Sequence, residues 1–258
     1  PLIHAEFARQ TGQDMAYTAI LAPLDGFAAA VKKFQAEGGK GLNVTVPFKL
    51  EAFGLLGQGD TLSERAHFAQ AVNTIKFEEG GGLYADNTDG VGFVRDVTQN
   101  LRCSITGKRV LLMGAGGAAR GVVLPILMEK PAQLVIANRS INKAIELAGT
   151  AAKYGNVLAN SYEQLAGRQF DIVINATSSS LSGVLPPLPH DVFAPGSLAY
   201  DMMYGKGLTP FLQFAQANGA AHLADGLGML VEQAAESFLL WRGVRPQTQS
   251  VITLLKPC

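Results

Sequence analysis

Cysteine is scarce in this chain, with only Cys103 and Cys258 among 258 residues. Two such distant thiols build neither a disulfide framework nor a zinc site, so a reducing, cytoplasmic setting is expected and no metal is. An excess of either charge is also missing, because 21 Lys and Arg face 21 Asp and Glu. That balance gives no electrostatic reason for a nucleic acid or an anionic membrane as partner. No apolar run reaches the roughly 18 residues that span a bilayer. Val122-Val-Leu-Pro-Ile-Leu-Met128 reads instead as part of a buried helix. Signal-peptide pattern, internal repeats and low-complexity tracts are absent too. What remains is a chain with 48% hydrophobic and 16% charged residues. That composition fits a globular enzyme with a substantial core, organised as one or two domains.

The most specific run is Arg109-Val-Leu-Leu-Met-Gly-Ala-Gly-Gly-Ala-Ala-Arg-Gly121. It reads as a buried strand, a glycine turn and a helix start. Gly114, Gly116 and Ala119 occupy the three small positions of a dinucleotide fingerprint, with Ala115, Gly117 and Ala118 between them. Gly114 permits the tight turn, Gly116 lets a pyrophosphate approach the backbone, and Ala119 lets the helix pack on the strand. The next strand ends in Asn138-Arg139-Ser140, without the carboxylate that would hold the ribose hydroxyls of NAD. Lys143 follows one helical turn after Arg139. Two cations at that place suit the 2′-phosphate of NADP. The plainer alternatives are a turn that needs small residues for packing and a solvated basic helix face.

Strand and helix patterns alternate along the whole chain, which gives an α/β fold. Helices are expected at His4–Thr11, Leu24–Glu37, Lys49–Leu56 and Val91–Asn100, and strands at Met15–Leu21 and Gly41–Pro47. Val72–Phe77 and Gly82–Ala85 read as a hairpin. Strands at Val110–Met113, Leu134–Ala137, Val157–Leu158, Asp171–Asn175 and Leu198–Asp201, with helices between most of them, imply a doubly wound parallel sheet. Leu227–Arg242 is a strong amphipathic helix and Gln247–Leu255 a last short one. The division expected is two α/β domains: residues 1–88 plus 224–258 for substrate and catalysis, and residues 89–223 as a Rossmann-like cofactor domain.

Several polar motifs sit at predicted strand ends, where open α/β sheets bind ligands. Asn43-Val-Thr-Val-Pro-Phe-Lys49 puts Asn43, Thr45 and Pro47 on one strand face and Lys49 just beyond it. Asn73 opens a strand. Asp86-Asn-Thr-Asp-Gly90 lies at the expected domain junction, where an Asx turn capping a helix is the plainer reading. Asn175-Ala-Thr-Ser178 follows a buried strand and offers hydroxyls and N–H groups from Ala176, Thr177 and Ser178, or else caps a helix. After Gly226, Met229 and Gln233 lie four apart on one helix face, and Met229 equally fits a core.

In their joint order, these pieces, together with Asp201-Met-Met-Tyr204 and Gly228-Met-Leu-Val-Glu-Gln233, resemble the shikimate dehydrogenase family over nearly the whole chain. The resemblance implies NADP-dependent interconversion of 3-dehydroshikimate and shikimate, in the route to chorismate and the aromatic amino acids. It implies Lys49 and Asp89 as a catalytic pair, and Thr45, Asn73, Tyr204 and Gln233 around the substrate. It places the cofactor on Gly114–Ala118, Asn138–Ser140, Lys143, Ala176–Ser178, Gly226 and Met229. The assembly expected is a monomer or homodimer. Quinate as a further substrate, and a catalytically impaired NADP-binding form, are the alternatives. Three departures stand out. The sequence starts at what looks like the proline of a Ser-x-Ser-x-Pro-like segment, so the family's opening strand and its two carboxylate-binding serines are expected to be absent. Ser180 stands where a glycine is usual, and Gly57-Gln-Gly-Asp60 forms a longer linker.

Overall fold

The computed structural model describes residues 1–177 and 185–256. Ser178, Ser180 and Cys258 lie outside the described residues. The chain builds two sheets. The first has four strands, β1 (Gly41–Asn43), β2 (Thr61–Leu62), β3 (Thr74–Phe77) and β4 (Leu83–Asp86), in the order β1-β3-β4-β2. The β3–β4 hairpin is antiparallel, with Ile75 opposite Ala85, while β2 runs parallel to β4. Helices α1 (Leu2–Thr11), α2 (Phe27–Ala36), α3 (Lys49–Gly54) and α4 (Glu64–Ala69) belong to this half of the chain. Phe27 and Val31 of α2, Ala52 of α3 and Ala66 of α4 close over Ile75 and Ala85 to form its core.

The second sheet has six strands, all parallel: β5 (Arg109–Met113), β6 (Gln133–Ala137), β7 (Val157–Asn160), β8 (Phe170–Asn175), β9 (Phe193–Asp201) and β10 (His222–Ala224). Their order is β10-β9-β8-β5-β6-β7. This is the Rossmann order, with the winding direction reversing between β5 and β8. The strands are apolar at consecutive positions because both faces are covered. Val110 and Leu112 join one core cluster, with residues of α5 (Asp89–Arg95), α6 (Gly117–Met128) and α7 (Ile141–Ala151). Leu111 and Met113 join a second, with Phe211, Leu212 and Ala215 of α8 (Pro210–Ala217). Two further helices, α9 (Leu227–Arg242) and α10 (Gln249–Leu255), complete the chain. Val231, Ala234, Ala235 and Phe238 of α9 pack on Phe7 and Ala8 of α1 and on Val251 and Ile252 of α10.

Helix α5 runs between the two halves, and two glycines set how closely. A Cβ on Gly90 would stand 2.2 Å from the Gly121 carbonyl oxygen of α6, and one on Gly92 would stand 2.7 Å from the Gln233 backbone nitrogen of α9. No helix among the described residues is long and apolar enough to cross a membrane.

Two expected strands differ. Met15–Leu21 is not a strand: it alternates half-buried Met15 and Tyr17 with exposed Asp14, Ala16 and Thr18, but has no ladder partner among the described residues. Its periodicity comes from lying along α1 and α9, where Met15 packs on the apolar cluster and Tyr17 stacks on His4. The strand expected over Gly41–Pro47 stops at Asn43. Beyond it the chain turns, with the Phe48 N–H donating to the Thr45 carbonyl, so period two no longer places Thr45 beside Asn43.

Candidate active site

Rossmann-like sheets bind ligands outside the carboxyl ends of their strands, where the strand order reverses. Here that place is framed by Gly114-Ala115 after β5 and Ala176-Thr177 after β8. Gly114 is required twice over. Its φ of +108° disfavours a side chain, and a Cβ would lie 3.1 Å from the Ala176 carbonyl oxygen. Gly116 and Gly117 are exposed at the start of α6, and a Cβ on either would meet nothing within 4 Å. Their open N–H groups at a helix N-terminus fit a pyrophosphate. Arg139 and Lys143 are exposed at the end of β6 and the start of α7, and neither forms an ion pair among the described residues. The half-buried Asn138 carboxamide donates to the Ser140 carbonyl at 3.0 Å, shaping that turn. Arg120, one turn into α6, donates to Glu146 of α7 at 2.6 Å. Residues and geometry both fit a phosphorylated dinucleotide.

Lys49 and Asp89, expected from the resemblance as a catalytic pair, lie in contact. Lys49 is the first residue of α3 and Asp89 the first of α5. The Lys49 ammonium donates to Asp89 Oδ2 at 2.5 Å, with both side chains partly reachable from solvent. A carboxylate in the first turn of a helix is also favoured by the helix dipole. Around the pair stands a polar frame. Asn73 Nδ2 donates to Asp89 Oδ1 at 2.9 Å and approaches Gln233 Oε1 at 3.3 Å. Asn73 Oδ1 accepts from the Thr88 N–H at 2.8 Å. Lys49, Asp89, Asn73 and Gln233 are therefore linked in one hydrogen-bonded chain. Thr45 is exposed on the turn after β1, and Tyr204 is half exposed on the loop after β9. Neither joins that hydrogen-bonded group. Met229 is buried in the core beneath the parallel sheet. Gly226 is packed so tightly that a Cβ would lie 2.2 Å from the Met202 carbonyl oxygen.

Several supporting residues carry no strong sequence signal. Ser237, one turn after Gln233 on α9, links Asn43 (2.9 Å) and Thr74 (2.8 Å), and Thr74 donates to Asn73 Oδ1 at 2.9 Å. Tyr17 closes this buried chain by donating to Asn43 Oδ1 at 2.9 Å, and burial pushes its phenol up. Asn43 is thus spent on the frame rather than pointed with Thr45 toward a ligand. Beneath Asp89, the wholly buried Asp86 accepts from Arg65 Nε at 2.7 Å and Nη2 at 2.5 Å. Burial alone would lower the Arg65 guanidinium, but Asp86, with Glu236, holds it above its ordinary value. The spacing of Ser237 from Gln233 was the one signal available for this group. Nothing local marks Arg65. No group of His, Cys, Asp and Glu among the described residues is arranged to hold a metal ion.

Known proteins align with this arrangement throughout. Residues 1–75 match the model of the shikimate dehydrogenase substrate binding domain, residues 96–184 that of shikimate / quinate 5-dehydrogenase, and residues 226–256 that of the shikimate 5'-dehydrogenase C-terminal domain. The shikimate dehydrogenase (NADP(+)) of Nitrosospira multiformis is 63% identical over 99% of this chain and 92% of its own length. The crystal structure of an Ael1 enzyme from Pseudomonas putida superposes with a TM-score of 0.94 at 52% identity, covering 100% of this chain and 93% of that one. Shikimate 5-dehydrogenase from Thermus thermophilus, solved with NADP(H) and shikimate, gives 0.84 at 28% identity, covering 98% and 92%. The Rossmann sheet, the Lys49–Asp89 pair and this full-length similarity converge, and the chain belongs to the shikimate dehydrogenase family.

Proposed function

We propose that this protein catalyses the NADP-dependent, reversible reduction of 3-dehydroshikimate to shikimate. The observation that carries the reading is the 2.5 Å Lys49–Asp89 pair, ringed by the neutral amides of Asn73 and Gln233. Such a set suits a ring bearing several hydroxyls and one carbonyl. Ketone reduction needs a hydride at carbon and a proton at oxygen, and the bound nicotinamide supplies the first. The exposed N–H groups of Gly116 and Gly117 hold the pyrophosphate, and Arg139 and Lys143 hold the 2′-phosphate. Lys49 Nζ stabilises the developing alkoxide and donates the proton. Asp89 orients Lys49 through Oδ2 and accepts a hydrogen bond from a neighbouring substrate hydroxyl. Asn73, held through Oδ1 by the Thr88 N–H, presents its amide beside it. In reverse, the pair accepts the hydroxyl proton as hydride leaves for NADP. Scarce thiols suit a reducing, cytoplasmic setting, and balanced charge suits a small-molecule partner; the assembly proposed is a monomer or homodimer.

The test is an absorbance assay for reduced cofactor with shikimate or quinate, each with NADP or NAD. Turnover of shikimate with NADP well above every other combination is expected. No turnover of shikimate with either cofactor would end the reading.

A further inference from the structure

Asp86 is a carboxylate with no exposure to solvent, three residues before Asp89. It accepts four hydrogen bonds: Ser63 Oγ at 2.5 Å, Arg65 Nε at 2.7 Å, Arg65 Nη2 at 2.5 Å and the Asn87 N–H at 2.7 Å. A buried ion pair of this kind is weak evidence for stability, because desolvation offsets its Coulomb energy. Its position is more telling. The Asp86 carbonyl accepts the Asn73 N–H at 3.0 Å, so Asp86 fixes the backbone from which the Asn73 amide reaches Asp89. The next residue, Asn87, accepts the Asp89 N–H on Oδ1 at 3.2 Å and anchors Nδ2 on the Ala71 carbonyl at 3.1 Å. Two hydrogen-bonded supports of Asp89 therefore start at Asp86. Arg65 also reaches Glu236 of α9 at 3.1 Å, one turn from Gln233. One guanidinium thus ties together β4, α4 and α9, the elements that carry the frame of the site.

We propose that Arg65 is a positioning residue for the reaction, acting through Asp86 and Asn87 to hold Asp89 against Lys49. This rests on the proposed catalytic role of the Lys49–Asp89 pair. Arg65 has two tasks. Its planar fork fixes the Asp86 carboxylate in one orientation, which the single point charge of a lysine does not do. Its charge also pairs with Asp86, so that this carboxylate is not a lone buried anion beneath the site. Losing the fork loosens the geometry of the pair.

The experiment compares Arg65→Lys, the doubly neutral Arg65→Gln/Asp86→Asn, Asp89→Asn, and Arg65→Lys combined with Asp89→Asn. Arg65→Lys keeps the charge, and the double variant leaves no lone buried ion, so folding does not decide the outcome. Displacing a reacting group by a fraction of an ångström costs about 10–100-fold in kcat. That loss is expected in Arg65→Lys and in the double variant, with the KM for NADP unchanged. In the Asp89→Asn background, Arg65→Lys should change kcat by less than about twofold, because coupled positions are not additive. A kcat within about twofold of the parent in both Arg65 variants would overturn the proposal. So would an undiminished loss in the Asp89→Asn background, the mark of a merely structural role. If Asp89→Asn itself kept the parental kcat, the catalytic reading would fail first and the positioning role with it.

Discussion

Lys49 and Asp89 come from helices 40 residues apart in sequence and meet at 2.5 Å, within the hydrogen-bond reach that proton transfer needs. Because both touch the reacting group in the proposed chemistry, Lys49→Ala and Asp89→Asn are each expected to lower kcat by about 10²–10⁴-fold. Binding of NADP, measured by calorimetric titration, should change little, since the glycine turn is elsewhere. Near-parental kcat in either variant would remove that residue from the mechanism. At the other end of the site, Arg139 is exposed and has no ion-pair partner among the described residues, so its guanidinium is available to a phosphate. Arg139→Ala should raise the KM for NADP while leaving that for NAD nearly unchanged. A lost charge-assisted contact costs about 1.5–3 kcal/mol, or roughly 10–150-fold. Equal effects on the two cofactors would show that Arg139 does not read the 2′-phosphate.

Among the elements, α5 is the one whose placement the site depends on, because it starts at Asp89 and is clamped on both sides. Gly90→Ala would put a methyl 2.2 Å from a carbonyl oxygen of α6 and 2.5 Å from the Pro125 ring, neither of which can swing aside. The helices must part, at about 1–3 kcal/mol. The expected result is a Tm several degrees lower together with a reduced kcat, read by thermal melting and by assay. Unchanged values of both would mean that α5 is not held this closely. The same tightness explains what could be read in advance. The β5–α6 turn and the amphipathic α9 were visible because their signals are local: small residues at fixed spacing and a sustained helical period. The Asp86–Asp89 turn was visible as polar residues at a strand end. The frame behind it was not, because Arg65, Thr74 and Ser237 acquire meaning only when β3, β4, α4 and α9 meet. Met15–Leu21 misled for the opposite reason. Its period of two is real, but it records contact with helices, and a ladder needs a partner strand that periodicity cannot supply. The short strands β2 and β10 had too few residues to show any period.

At the scale of the molecule, α9 joins the site to the rest of the fold: one face carries Gln233 and Ser237, and another receives α1. The seam between α1 and α9 holds His4, which is 4% exposed, stacks on Tyr17 at 4.1 Å and lies 5.4 Å from the ring of Trp241. Its Nδ1 has no hydrogen-bond partner among the described residues. Burial lowers this imidazole to about 4 from its ordinary 6.5. The folded state therefore holds His4 neutral where the unfolded chain already binds a proton. Between those two values the unfolded state carries more protons, so stability falls as pH falls through the window and changes no further from this cause below about 4. The shift corresponds to a loss on the order of 3 kcal/mol between pH 7 and 4. Urea unfolding of the parent and of His4→Phe across that range separates this histidine from the carboxylates, which titrate in both. The expected outcome is a midpoint that drops less steeply with acid in the variant, most clearly between pH 6.5 and 5, where few carboxylates respond. Parallel curves for the two proteins would mean that protonating His4 does not oppose the docking of α1 on α9.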